Sequence, residues 1–113
     1  MRIVTEVLKI AELKQMAEAG FGDMVKAVVD ISTEFIAIDA ELHADLEALL
    51  LENGSKQKDL WGINLYPELE AKDFLEYDSM INIRPSQNNR SRGVDNAEIR
   101  EKIAGIVGQR IRT

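Results

Sequence analysis

Two runs rich in β-branched residues, Met24-Val25-Lys26-Ala27-Val28-Val29-Asp30-Ile31 and Phe35-Ile36-Ala37-Ile38-Asp39-Ala40-Glu41-Leu42, are separated only by Ser32-Thr33-Glu34. So short a connection makes the two strands pair with each other as an antiparallel hairpin. Whatever surrounds the hairpin must cover its apolar side. Upstream, Ile10, Leu13, Met16 and Ala17 follow helical spacing over residues 9–19, and Gly20 is placed to end that helix as its left-handed residue. Residues 2–7 contribute a short edge strand or an extended lead-in. Downstream, residues 43–53 hold strong helix formers and no β-branched residue, which favours a second helix closed by Asn53-Gly54. The same dipeptide is a strong hairpin-turn signal, so one arm of a hairpin is the alternative there. Residues 60–66, ended by Pro67, and residues 74–84, ended by Pro85, read as a second hairpin. Asp95 or Asn96 then caps a last helix in which Ile99, Ile103, Ile106, Val107 and Arg110 recur at three- and four-residue steps.

The order helix, hairpin, helix, hairpin, helix predicts one α+β domain over residues 1–113, a mostly antiparallel sheet of two hairpins with about three helices packed on one face. A chain of this length buries roughly two thirds of the surface it exposes when unfolded. Its 20 acidic and 14 basic residues give a formal charge of -6, which argues against a general coat for nucleic acid or membrane. Cysteine is absent, which excludes a disulfide framework, a thiol nucleophile and a thiolate metal site. No run approaches the ~18 apolar residues of a membrane span, and the N-terminus lacks a signal-peptide core, so a soluble cytoplasmic protein is expected.

Against the overall acidity, the stretch Arg84-Pro85-Ser86-Gln87-Asn88-Asn89-Arg90-Ser91-Arg92 is locally basic, with no acidic residue before Asp95. Alternation along the strands before it sends Trp61, Ile63 and Leu65 to one side and Gly62, Asn64 and Tyr66 to the other, and places Asp78, Asn82 and Arg84 on one face. If the apolar sets face the helices, Asn64, Asp78, Asn82 and Arg84 converge on a helix-free polar face, joined by Lys26 and Asp30 from the first hairpin. The loop carrying Asn89, Arg90 and Arg92 overhangs it. A planar guanidinium reads carboxylate or phosphate bidentately, so Arg84 is the leading ligand contact. Asp78 and Glu41 are its competing internal partners.

His43 is the only histidine. Nearby carboxylates favour its protonated form, but no nucleophile or second metal ligand is spaced with it, which makes capping or surface hydrogen bonding the commoner role. No phosphate-binding glycine pattern or nucleophile-elbow serine occurs. These features describe a binding module with an anion site at the polar sheet face and the 84–92 loop, formed by Asn64, Asp78, Asn82, Arg84, Asn89, Arg90 and Arg92, without cofactor or metal. Its ligand is a small anion or a short nucleic-acid segment. The alternatives are a small hydrolase acting on a phosphodiester or RNA, with His43 as general acid or base, and a homodimerising interaction protein.

The runs Asp59-Leu60-Trp61-Gly62-Ile63-Asn64-Leu65-Tyr66-Pro67 and Asp78-Ser79-Met80-Ile81-Asn82-Ile83-Arg84-Pro85 resemble a family of small uncharacterised prokaryotic proteins, a domain of unknown function. The likeness extends to Phe21-Gly22-Asp23-Met24 and Glu41-Leu42-His43-Ala44-Asp45, and so spans nearly the whole chain. It implies a free-standing soluble prokaryotic protein and carries no activity, cofactor or catalytic residue.

Overall fold

The computed structural model describes residues 1–113. The hairpin forms where the β-branched runs place it, as β3 (Val25–Asp30) and β4 (Phe35–Ile38), with Val28 opposite Ala37 and Val29 opposite Ile36. Asp30 makes the turn: its Oδ1 accepts from the N–H groups of Ser32 (2.8 Å) and Thr33 (3.2 Å), and Glu34 takes a left-handed conformation (φ 64). Asp39, also left-handed (φ 74), ends β4 well before residue 42. The short edge strand β1 (Arg2–Val4) pairs with β4, and β5 (Leu60–Leu65) pairs with the other side of β3. With β6 (Leu75–Glu76) beside β5, the sheet order is β1-β4-β3-β5-β6, antiparallel throughout. A separate two-stranded parallel pair, β2 (Leu8–Lys9) with β7 (Ile111–Arg112), ties the two ends of the chain together.

Four helices complete the α+β fold: α1 (Ile10–Ala19), α2 (His43–Glu52), the single turn α3 (Ala71–Phe74) and α4 (Ala97–Arg110). Residues 43–53 are therefore helical rather than a hairpin arm, and Gly54 (φ 96) follows as the left-handed residue. Asn96 caps α4, its Oδ1 accepting from the N–H groups of Glu98 (2.8 Å) and Ile99 (3.2 Å). Gly20 closes α1 at φ -108, and the left-handed glycine after it is Gly22 (φ 100).

The helices do not share one face. Ala27, Val29, Ile36, Ile38, Trp61, Ile63 and Leu65 bury against Leu13 and Ala17 of α1 and Ile103, Ile106 and Val107 of α4. Val28, Ala37 and Leu60 point the opposite way and bury against Leu46 and Leu50 of α2. The face expected to be free of helices is thus partly covered. The cause lies in β3 itself, where Val28 and Val29 are consecutive and both apolar, so each side of the sheet has something to bury. At about 1.5–3 kcal/mol per buried aliphatic side chain, Leu46 and Leu50 anchor α2 there.

The second correction concerns residues 74–84, expected as one long strand. Only Leu75 and Glu76 pair with β5. Ser79 then starts a 3-10 turn over Met80–Asn82, its Oγ accepting from Ile81 N–H (3.3 Å), and Pro85 starts another over Pro85–Gln87, ended by left-handed Asn88 (φ 59). The β-branched Ile81 and Ile83 carry the strand propensity, but side-chain contacts to β5 replace a backbone ladder.

Candidate functional site

The polar side chains of the 78–93 segment hold the segment in place. Gly62 lies on the outer edge of β5 beyond the reach of β6, and the Asn82 carboxamide docks there, accepting from Gly62 N–H (2.8 Å) and donating to Gly62 O (2.9 Å) and Arg92 O (2.9 Å). A side chain supplies the two bonds that a neighbouring strand would make. Asn89 is the hub of the loop: its Nδ2 donates to the carbonyls of Asn82 (2.7 Å) and Gly93 (2.8 Å), and its Oδ1 accepts from Asp95 N–H (2.8 Å). Both asparagines are buried, at 0% and 2% exposure.

Arg84 is committed as well. Its guanidinium donates to the carbonyls of Gln57 and Leu60 and lies 4.2 Å over the Trp61 ring. Burial pushes its pKa down, while Glu47 and Asp59 favour the charged form. Arg92 pairs with Asp78 (2.6 Å), and Arg90 extends into solvent, its backbone N–H donating to Asp95 (3.1 Å). Asp95, the first acid after the arginines, folds back onto the loop, and the Ser91 hydroxyl and Arg90 N–H hold its carboxyl below the usual range.

On the same face, between the first turn of α2, the start of β3 and the 76–81 segment, lies a cleft of about 490 Å³. Lys26, His43, Asn64, Tyr66, Glu76 and Asp78 provide its polar wall, with Arg92 at one side and the exposed side chains of Leu42 and Met80 at its mouth. Glu76 Oε1 accepts from Asn64 Nδ2 (2.8 Å) and Tyr66 OH (3.0 Å); burial and the Glu76 carboxylate raise the Tyr66 pKa. Asn64 is 6% exposed, and its Oδ1 is buried without a hydrogen-bond partner. Lys26 is half-buried, lies 5.1 Å from the Phe21 ring and forms no ion pair. A smaller recess of about 230 Å³, lined by Phe21, Asp39 and Glu41, adjoins the cleft through Met24 and Lys26.

The His43 Nε2 lies 2.8 Å from Ile63 O and therefore carries a hydrogen. Burial lowers the pKa from 6.5; the Ile63 carbonyl opposes the shift, Lys26 adds to it, and Asp78 and Asn64 oppose it. The unfolded chain thus binds the proton more tightly than the folded one. Stability should be at its full value above pH 6.5, fall as the pH drops through 6.5, and level off below the folded pKa. Urea unfolding across that range measures this, and His43→Gln should flatten the part of the slope that His43 contributes.

Of the expected site residues, Asn64, Asp78 and Arg92 meet in the cleft together with His43, whereas Asn82, Arg84 and Asn89 are bound into the framework and Arg90 stands apart. Arg84 does not line the cleft that His43 lines. Glu76 shares the parity of Asp78 and Tyr66 that of Asn64, which is the sequence signal for their place on the cleft side. No group of three His, Asp or Glu side chains is placed to hold a metal ion. No helix is long and apolar enough to cross a membrane.

Fold and cleft together define an α+β domain with a polar recess walled by sheet, helix and a side-chain-stitched loop. The chain belongs to the family described as "Protein of unknown function (DUF5674)", whose model matches residues 2–110. No curated protein and no solved structure matches it.

Proposed function

We propose that the chain is a binding module whose cleft takes a small molecule bearing a phosphate or carboxylate group. The observation that carries this is Lys26: a half-buried side chain on the cleft wall whose ammonium has no carboxylate within ion-pair distance. An ammonium without a counter-ion gains a charge-assisted hydrogen bond when a ligand anion reaches it. Arg92 can add a second contact by exchanging its exposed partner Asp78. Glu76 and Asp78 in the same wall repel an extended polyanion, which favours a compact anionic group over a nucleic-acid segment.

The test is a titration with acetate and inorganic phosphate at constant ionic strength, followed by NMR. Lys26→Met should weaken binding of the preferred anion by about tenfold or more, in line with a lost charge-assisted contact. Arg90→Ala, outside the cleft, should leave it unchanged. Equal affinity in Lys26→Met and wild type would remove the anion from the cleft.

A further inference from the structure

Lys26, Asn64 and Glu76 stand in one row across three strands. Lys26 of β3 is the register partner of Asn64 of β5, and Asn64 that of Glu76 of β6, so the three side chains rise from the same face of the sheet. Adjacent strands lie about 4.8 Å apart, which puts the backbones of the two charged residues about 10 Å apart. They form no ion pair with each other, although both line the cleft. The carboxylate is held from its own side: Glu76 Oε1 accepts from Asn64 Nδ2 (2.8 Å) and Tyr66 OH (3.0 Å), while Oε2 accepts nothing within the protein. A carboxylate has room for about four such bonds, so an ammonium can still dock on it.

We infer that the ligand of the cleft is a free amino acid with an apolar side chain, its carboxylate on Lys26, its ammonium on Glu76 and its side chain against Leu42 and Met80. The carboxylate half rests on the anion-binding function proposed above. Arg92 and Asp78 already pair with each other (2.6 Å), which leaves Lys26 and Glu76 as the cation and the carboxylate of the wall without an opposite charge. A simple anion at Lys26 gains nothing from Glu76, whereas a zwitterion is drawn to both ends of the row. With a charge-assisted bond of about 2.8 Å at each end, an α-amino acid bridges the gap that the two side chains leave open. The mouth supplies the apolar contact: Leu42 and Met80 are 57% and 65% exposed, and a side chain laid over them removes apolar surface from water.

Isothermal titration of the whole chain at neutral pH compares leucine with three compounds that each lack one part: isocaproate without the ammonium, isoamylamine without the carboxylate, and glycine without the apolar side chain. Leucine should bind about tenfold or more tighter than isocaproate and than isoamylamine, the size of one charge-assisted contact. It should also exceed glycine by about tenfold or more, from apolar burial at the mouth. In Glu76→Gln, whose amide oxygen can still accept from Asn64 and Tyr66, leucine and isocaproate should bind within about twofold of each other. Isocaproate or isoamylamine as tight as leucine in the wild type, or an advantage for leucine that survives Glu76→Gln, overturns the zwitterion. Glycine as tight as leucine overturns the apolar side chain. If neither leucine nor isocaproate binds while inorganic phosphate does so through Lys26, the amino acid is overturned and the anion site stands. If none of the three binds, or Lys26→Met leaves their binding unchanged, the anion-binding function falls and this ligand with it.

Discussion

Replacing Asn82 with alanine should lower the unfolding free energy by roughly 2–6 kcal/mol, because two buried backbone groups lose their partners at about 1–3 kcal/mol each. Those groups are Gly62 N–H and Gly62 O, both served by one carboxamide that is 0% exposed, whereas Arg92 O keeps Ser79 N–H (2.9 Å). Water cannot readily replace it, since Gly62 is itself buried. A domain with a total stability of about 5–15 kcal/mol would be brought close to unfolding by such a loss. Urea denaturation gives the number directly. A change within about 1 kcal/mol would mean that the edge of β5 is hydrated and the carboxamide dispensable.

Gly62→Ala should cost about 1–3 kcal/mol or more, the range for overpacking a filled interior. A Cβ at this position would lie 2.5 Å from Ser79 Cβ, 2.6 Å from Ser79 Oγ and 3.1 Å from Ile81 Cγ1. The 79–82 turn must then lift from the sheet, and with it the Asn82 carboxamide. Because the obstruction is mainly one side chain, Ser79→Gly should cost less in the Gly62→Ala background than in the wild type. A double-mutant cycle isolates that coupling. Additive effects would show that the turn yields freely and is not pressed onto Gly62.

The hairpin, the capped terminal helix and the Trp61-Ile63-Leu65 face were legible in the sequence because each is a local pattern of spacing and propensity. The position of α2 could have been suspected from the adjacent Val28 and Val29, since a strand apolar at both parities needs cover on both sides. The 79–93 segment was harder to read. Its strand-like alternation and its arginines point to a strand and an anion site, yet the three amide and guanidinium groups of Asn82, Arg84 and Asn89 satisfy the protein's own backbone. Whether a polar side chain reads a ligand or a carbonyl depends on what lies a few ångströms away, and Gln57, Leu60 and Gly62 are distant from that loop in sequence. Strand parity and the strand-helix junction place Asn64, Asp78 and His43 on the cleft side, whatever the fate of the loop.

The most direct test of the division between framework loop and binding cleft is a map of backbone amide shifts as inorganic phosphate is added to the wild-type chain at constant ionic strength. Shifts are expected to cluster at Met24, Lys26, His43, Asn64 and residues 76–80, with residues 82–90 nearly still. Shifts concentrated on Arg84, Asn89 and Arg90, with the cleft unresponsive, would return the site to the arginine loop and contradict the structural role assigned to it.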